Sequence, residues 1–258
     1  MNLILPVPDI HDKPEHNKDR LKYLSKFIVD KQPTHIVIMG DFLTLDCLSF
    51  WDKDKRRKME GKRYVDEIES ANQAMDIIFN DVELYNRSQV RHKKRQYKPE
   101  LIYLMGNHED RLDRYLDYNP TMAGMIGIEK DLDLIGRGFT VIPYREYIYI
   151  NGIAFTHIPF NGAAPISGIN ICRKAQMVTV DSIVFAHTHN KNEDNIKRHG
   201  QAQLQQVFNC GCYFEEIDDY MHGRMENYWK GICLLKNYKP GAFSKEEYSL
   251  EELQQQYK

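Results

Sequence analysis

The stretch LILPVPDIHDKPEHNKDRLKYLSKFIVDKQPTHIVIMGD, residues 3–41, decides the fold of this 258-residue chain. Two apolar runs, 3–7 and 35–39, have the length and β-branched content of buried strands, and each runs directly into polar residues. Between them, apolar residues from Leu21 to Ile28 recur at helical spacing. A strand, a helix and a second strand in this order predict a βαβ unit with parallel strands. The sequence therefore predicts an α/β fold.

Three later apolar runs also end in polar residues: 101–105, 153–156 and 182–186. Parallel sheets collect functional groups at the carboxyl ends of their strands, so we expect all these polar residues to meet at one sheet edge. In chain order, the polar clusters are Asp9-x-His11, Gly40-Asp41, Gly106-Asn107-His108-Glu109, His157 and His187-x-His189.

The residue types in these clusters are suited to two divalent cations. Carboxylate, carboxamide and imidazole groups bind Mn, Fe, Zn or Ni rather than soft, thiophilic ions. Asp-x-His and His-x-His place two side chains on the same side of an extended backbone, so both can reach one ion. One carboxylate can bridge two ions about 4 Å apart, and a water held between them can lose its proton and attack phosphorus.

The order of the clusters resembles the calcineurin-like metallophosphoesterase superfamily, over residues 9–189. The resemblance implies a four-layered α/β/β/α sandwich with two central sheets. It also implies that His108 contacts the phosphate and protonates the leaving oxygen, as a catalytic residue rather than a ligand. The implied metal ligands are Asp9, His11 and His189 for one ion, Asn107, His157 and His187 for the other, and Asp41 as the bridge. The chain departs from the usual pattern at Pro8, at Ile158-Pro159 and at Ala186.

The resemblance implies a hydrolase that attacks phosphorus directly with a hydroxide bridging the two metals. We expect manganese as the cofactor, with Fe, Zn, Ni or Mg as alternatives, and a phosphodiester in a nucleotide or nucleic acid as the substrate. Asn107, His108 and Arg111 are the candidate substrate-binding residues. Arg111 either binds a phosphate or pairs with Asp110 or Glu109. The alternatives are a phosphomonoesterase, and a non-catalytic adaptor that binds nucleic acid or protein.

Residues 51–98 differ in composition and predict a basic, amphipathic helical insertion in a domain of residues 1–236, followed by a polar C-terminal tail, 237–258. Basic runs at both ends of the insertion either track a nucleic-acid backbone or form a solvated face. Its apolar stripe either packs on the sheet, which is the default, or forms the seam of a homodimer.

The bulk composition is that of a globular protein with a formal net charge of −2, so charge favours neither nucleic acid nor membrane as a partner. Five irregularly spaced cysteines argue against a disulfide framework, and no apolar run of about 18 residues occurs, so we expect a cytoplasmic protein without membrane contact. A looser resemblance, carried by 106–114, 209–212, Tyr220 and Asn227–Gly231, is to a phage-encoded branch of the superfamily. It implies the cytoplasm of a bacterial host and includes a nuclease among the possible activities.

Overall fold

Two mixed β-sheets and their covering helices carry the fold in the computed structural model, which describes residues 2–50, 52–200, 203–215 and 228–258. Trp51, Tyr220 and Asn227, which the sequence analysis used, lie outside these ranges. The helices are α1 Asp19–Lys31, α2 Arg56–Met59, α3 Tyr64–Arg91, α4 Asp110–Tyr118, α5 Ile128–Asp131, α6 Ile171–Val178 and α7 Leu250–Tyr257. The strands are β1 Asn2–Val7, β2 His35–Ile38, β3 Glu100–Leu104, β4 Phe139–Ile142, β5 Ile148–Ile150, β6 Ile153–Phe155, β7 Phe160–Asn161, β8 Ala164–Pro165, β9 Ser182–Phe185, β10 Lys191–Ile196, β11 Gln205–Cys210, β12 Gly231–Lys239 and β13 Ala242–Ser249.

The first sheet has six strands in the order β13-β12-β1-β2-β3-β4. Strands β1 to β4 are parallel neighbours, and α1 connects β1 to β2 as the βαβ pattern predicts. The second sheet has the order β10-β11-β9-β6-β5, with β9 parallel to both β6 and β11. A turn at Asn151-Gly152 joins β5 to β6, and both residues have positive φ, 44° and 79°. The α/β class is therefore confirmed.

Three groups of buried side chains fill the spaces between these elements. One group lies between the first sheet and the helices α1, α3 and α7. The second lies between the two sheets and includes Val37 from the first and Val184 from the second. The third lies between the other face of the second sheet and α6. This packing supports the order helix, sheet, sheet, helix that the sequence predicts.

The segment predicted as an insertion forms the crossover between β2 and β3. It folds as two helices, α2 and α3, rather than one, and the interruption includes Gly61, whose φ of +78° a helix cannot contain. Most of the apolar stripe of α3 is buried in this chain, as at Met75 and Ile78, whereas Val65 at its start is exposed, and the helix lies against α1. The stripe therefore packs within the chain, which is the default that we expected.

The segment predicted as a polar tail is part of the first sheet. The expected boundary between residues 236 and 237 falls inside β12, and β12 pairs antiparallel with both β1 and β13. The prediction of a tail failed here because charged residues such as Lys236 and Glu246 are interspersed along the hairpin with buried ones such as Leu235, so the average composition of the segment is polar. The chain then ends in α7, whose Leu253 is fully buried. No helix in the described ranges is long and apolar enough to cross a bilayer.

Candidate metal centre

Five strand ends bring the predicted site residues together at one edge. The ends of β1, β2 and β3 in the first sheet meet the ends of β6 and β9 in the second, as expected for carboxyl ends of parallel strands. His11 Nε2 lies 3.2 Å from His189 Nε2, although the two residues are 178 positions apart in the chain. His157 Nε2 lies 3.0 Å from Asn107 Oδ1 and 3.1 Å from His187 Nδ1.

These side chains form two adjoining groups of donor atoms that could each hold a metal ion. Asp9, His11 and His189 make one group, and Asp41, His157 and His187 make the other; within each, the donor atoms lie within 4.8 Å of one another. The carboxylate of Asp41 lies between the groups.

Its Oδ2 is 3.4 Å from His157 Nε2 in its own group and 3.9 Å from His11 Nε2 in the neighbouring one. Donor atoms of Asp41, His11 and His108 also lie within 4.8 Å of one another, so His108 is placed beside the centre.

The buried carboxylates of the site favour the binding of a cation. Asp9 is fully buried, and neither of its carboxylate oxygens has a hydrogen-bond partner within the described residues. Burial raises the pKa of Asp9 well above its usual value, an effect that His157 opposes and Asp41 reinforces. Burial alone would lower the pKa of His157, but Asp41 and Asp9 outweigh it and raise that pKa to about 9. A buried carboxylate whose oxygens accept no hydrogen bond is typical of a cation ligand without its cation, so this donor set fits divalent metal ions.

The imidazole of His157 has a backbone partner on one nitrogen, and three neighbouring imidazoles are neutral. The Nδ1 of His157 lies 2.8 Å from the backbone oxygen of Met39, and a proton donated there leaves Nε2 as the metal-facing nitrogen. Burial lowers the pKa of His187 to about 4 and holds those of His11 and His189 well below the usual range, so all three are neutral imidazoles. Neutral imidazole is the form that binds a metal.

Two glycines allow the strand ends to approach this closely. A Cβ on Gly106 would lie 2.2 Å from Asp41 Oδ1 and 2.4 Å from the Asp41 nitrogen. A Cβ on Gly40, whose φ is +91°, would lie 2.7 Å from His157 Nδ1. The glycines of the Gly-Asp and Gly-Asn-His-Glu clusters therefore provide the space in which ligands from separate strands converge.

Several of the ligand residues themselves have left-handed backbones. The φ angles are 46° at His11, 49° at Asp41, 70° at His187 and 61° at His189. Such conformations are unfavourable for residues other than glycine and cluster at functional sites, where the surrounding structure holds them in place.

His108 has the placement expected of a group that acts on the substrate. Its Nδ1 lies 2.7 Å from the Thr44 oxygen, so a proton on Nδ1 leaves Nε2 directed to the centre, 3.9 Å from Asp41 Oδ2. Burial lowers its pKa to about 4, and the positive charge of Arg111 contributes to this. Arg111 donates to the Thr44 oxygen at 2.8 Å, and its Nη2 lies 3.2 Å from His108 Nε2. Arg111 pairs with neither Asp110 nor Glu109 among the described residues. Asp110 pairs with Arg114, and Arg111 lies 3.6 Å from Asp46 instead.

The sequence analysis did not assign a role to Glu109, although the residue belongs to the third cluster. Its buried carboxylate accepts hydrogen bonds from the backbone nitrogens of Asp41 at 3.0 Å, Phe42 at 2.9 Å and Gly106 at 2.8 Å, and from the Tyr103 hydroxyl at 2.8 Å. Glu109 thus ties the loop after β2 to the loop after β3, and so fixes Asp41 relative to Asn107. The only signal in the sequence was its place directly after His108.

The aromatic rings of Phe214 and Tyr228 lie against two of the candidate ligands, His11 and His189. The ring of Phe214 makes edge contacts with His11 at 5.3 Å and with His189 at 5.0 Å, between ring centroids. Tyr228 contacts His189 in the same way at 4.8 Å. These rings limit how the two imidazoles can rotate.

The basic ends of the α2–α3 segment lie at very different distances from the centre. Lys62, which follows the first basic run, 53–58, pairs with Asp46, and Asp46 lies 3.6 Å from Arg111 beside the site. The second run, 91–95, begins at the last residue of the 28-residue helix α3, whose two ends are roughly 40 Å apart.

A carboxylate between two groups of buried imidazoles, with a neutral histidine beside it, is the arrangement expected of a metal-dependent phosphoesterase. The comparison of the sequence with known families agrees with this class: the model of the calcineurin-like phosphoesterase family matches residues 4–191. The chain belongs to that family. No protein in the curated collection that was searched matches it.

Proposed function

We propose that the protein is a dinuclear phosphodiesterase that uses manganese to hydrolyse a phosphodiester in a nucleotide or nucleic acid. The observation that carries the proposal is the position of Asp41, whose carboxylate lies between two groups of donor atoms. In this proposal Asp9, His11 and His189 hold one ion, and Asn107, His157 and His187 hold the other. Two bound cations would lower the pKa of a water and neutralise the phosphoryl oxygens.

The protein's own residues would position and protonate the substrate. Nε2 of His108 faces the centre and is the nitrogen that would deliver a proton to the leaving oxygen. Arg111 lies within reach of the same nitrogen, and its guanidinium could hold a phosphoryl oxygen in a charge-assisted hydrogen bond. The amide oxygen of Asn107 lies 3.0 Å from His157 Nε2. The amide group could therefore bind a metal ion through its oxygen and a phosphate through its nitrogen.

The test is hydrolysis by the manganese-loaded protein of an aryl phosphodiester, an aryl phosphomonoester, cyclic nucleotides, and single- and double-stranded DNA. We expect diester cleavage that chelation abolishes. His108→Ala should lower kcat by roughly 10²- to 10⁴-fold, the usual contribution of a general acid. Asp41→Asn should abolish activity, and Asp117→Asn, an exposed site on α4, is the matched control. If Asp41→Asn and His108→Ala both match the wild type, the assigned mechanism is wrong.

A further inference from the structure

The end of β4 reaches the same sheet edge as the metal centre, but the roles assigned so far do not use it. β4 is parallel to β3 and lies beside it, so the turn at 143–146 neighbours the loop that carries Asn107. The turn is closed by a hydrogen bond from the Glu146 nitrogen to the Pro143 oxygen, at 3.1 Å. At its centre are Tyr144 and Arg145.

The Tyr144 ring lies directly against the metal centre. Its centroid is 6.2 Å from that of His157 and 5.7 Å from that of Phe160, with which it makes an edge contact. The side chain is only half-buried, and none of the hydrogen bonds within the described ranges uses its hydroxyl. A group esterified to a phosphate at His157 is therefore within reach of this ring.

Two arginines stand beside the ring. The guanidinium of Arg145 lies over the Phe160 ring, 4.7 Å from its centroid, and donates to the Ala163 oxygen at 3.2 Å. The backbone of Arg145 has a φ of +76°, a strained conformation that here supports the position of a charged side chain. Arg114 donates to the Asn107 oxygen at 3.0 Å and pairs with Asp110 at 2.9 Å.

We propose that Tyr144, Arg114 and Arg145 form a nucleotide subsite, in which the base of the nucleoside esterified to the scissile phosphate stacks on Tyr144. The two arginines attract the adjoining phosphate. An aromatic ring combined with cations is the means by which proteins bind single-stranded nucleic acid without reading its sequence. This inference rests on the proposed phosphodiesterase activity and names the part of the substrate that this side of the site receives.

The kinetic test compares two esters with the same leaving group, 4-nitrophenyl thymidine 5′-phosphate and methyl 4-nitrophenyl phosphate. The measured quantity is the ratio of their kcat/KM values. Tyr144→Leu should lower this ratio by about 5- to 150-fold, the span that loss of one base–aromatic stack produces. Tyr144→Phe keeps the ring and should restore the preference for the thymidine ester.

Tyr238→Leu is the matched control. Tyr238 is also exposed, but its neighbour Asn237 pairs with Asn2 at the amino end of β1, so it lies at the opposite edge of the sheet. This variant should keep the wild-type ratio. An equal ratio in wild type and Tyr144→Leu would overturn the subsite and leave the phosphodiesterase proposal intact.

A binding measurement separates the two proposals in the other direction. Calorimetric titration of the manganese-loaded protein with thymidine 5′-monophosphate should give a dissociation constant that Tyr144→Leu raises by about 5- to 150-fold and Tyr238→Leu leaves unchanged. If neither ester is hydrolysed but this pattern is found, the phosphodiesterase proposal fails and the subsite stands. If all three proteins bind the nucleotide equally, the subsite is refuted.

Discussion

Replacing Asp9 by asparagine should make the metal-free protein more stable than the wild type and the metal-loaded protein less stable than the wild type. In the metal-free protein, the Asp9 carboxylate is fully buried with both oxygens lacking hydrogen-bond partners among the described residues. A buried polar group without partners costs about 1–3 kcal/mol, and more when it is charged. Asp9→Asn removes the charge and keeps the shape, so we expect it to stabilise the metal-free protein by about 1–2 kcal/mol.

For a chain of this size, that gain corresponds to a rise in Tm of about 2–8 °C. Added manganese should instead make the wild type more stable than the variant. At a concentration of 100 times its dissociation constant, it should stabilise the wild type by about 2.7 kcal/mol, or about 5–11 °C. The variant lacks one anionic ligand and should lose most of that rise.

The assay is thermal unfolding of both proteins after chelation and across a manganese titration, with the exposed residue in Asp54→Asn as the matched control. The two Tm curves should cross as manganese is added. The reasoning is refuted if Asp9→Asn destabilises the chelated protein and the manganese-dependent rise is as large as in the wild type, because Asp9 would then be a structural residue rather than a metal ligand.

Three further predictions follow from other parts of the site. Gly106→Ala places a Cβ 2.2 Å from Asp41 Oδ1, so it should lower the free energy of unfolding by about 1–3 kcal/mol in urea and abolish manganese binding by calorimetry. Gly127→Ala, where the added Cβ would have nothing within 4 Å, should retain binding. The pKa of Asp46 is depressed because Lys13 and Lys62 outweigh the opposing effect of burial, so its contribution to stability is present above its unfolded pKa near 4 and is lost as pH falls below that; acid titration of unfolding should show a shallower loss in Asp46→Asn, and an unchanged profile would refute the ion cluster. If DNA is the substrate, replacing Arg56 and Arg57 by glutamine should reduce the slope of log affinity against log salt by about 1.8, as expected for two lost phosphate contacts. The same change at Arg91 and Arg95, at the far end of α3, should leave cleavage at the metal centre intact.

Much of the metal centre could be predicted from the sequence because few residue types bind divalent metals and these ones follow apolar runs. Asp9, Asp41 and Asn107 each come directly after a strand of the first sheet, and the structure brings them to one edge. His157 could be placed despite its unusual Ile158-Pro159 neighbours, because the strand before it was recognisable. Its role as a ligand stays a prediction, as do the roles of the other proposed ligands.

The limits of the sequence are equally specific. The tail was misjudged because β12 enters the sheet beside β1, a pairing between residues such as Ile4 and Leu235 that no local pattern records. Glu109 gave no sign of its three backbone donors, because these come from two separate loops. Tyr144 follows β4, and its position beside the metal centre depends on β4 lying next to β3.

The sequence by itself determined the order of strands and helices, the chemistry of the donors and the family to which the chain belongs, because periodicity and residue type are local properties. Only the tertiary structure decided how close the donors lie to one another, how the glycines admit them, and which aromatic and charged side chains surround the centre. Those features depend on distances between residues far apart in the chain, and packing of the two sheets against each other sets these distances.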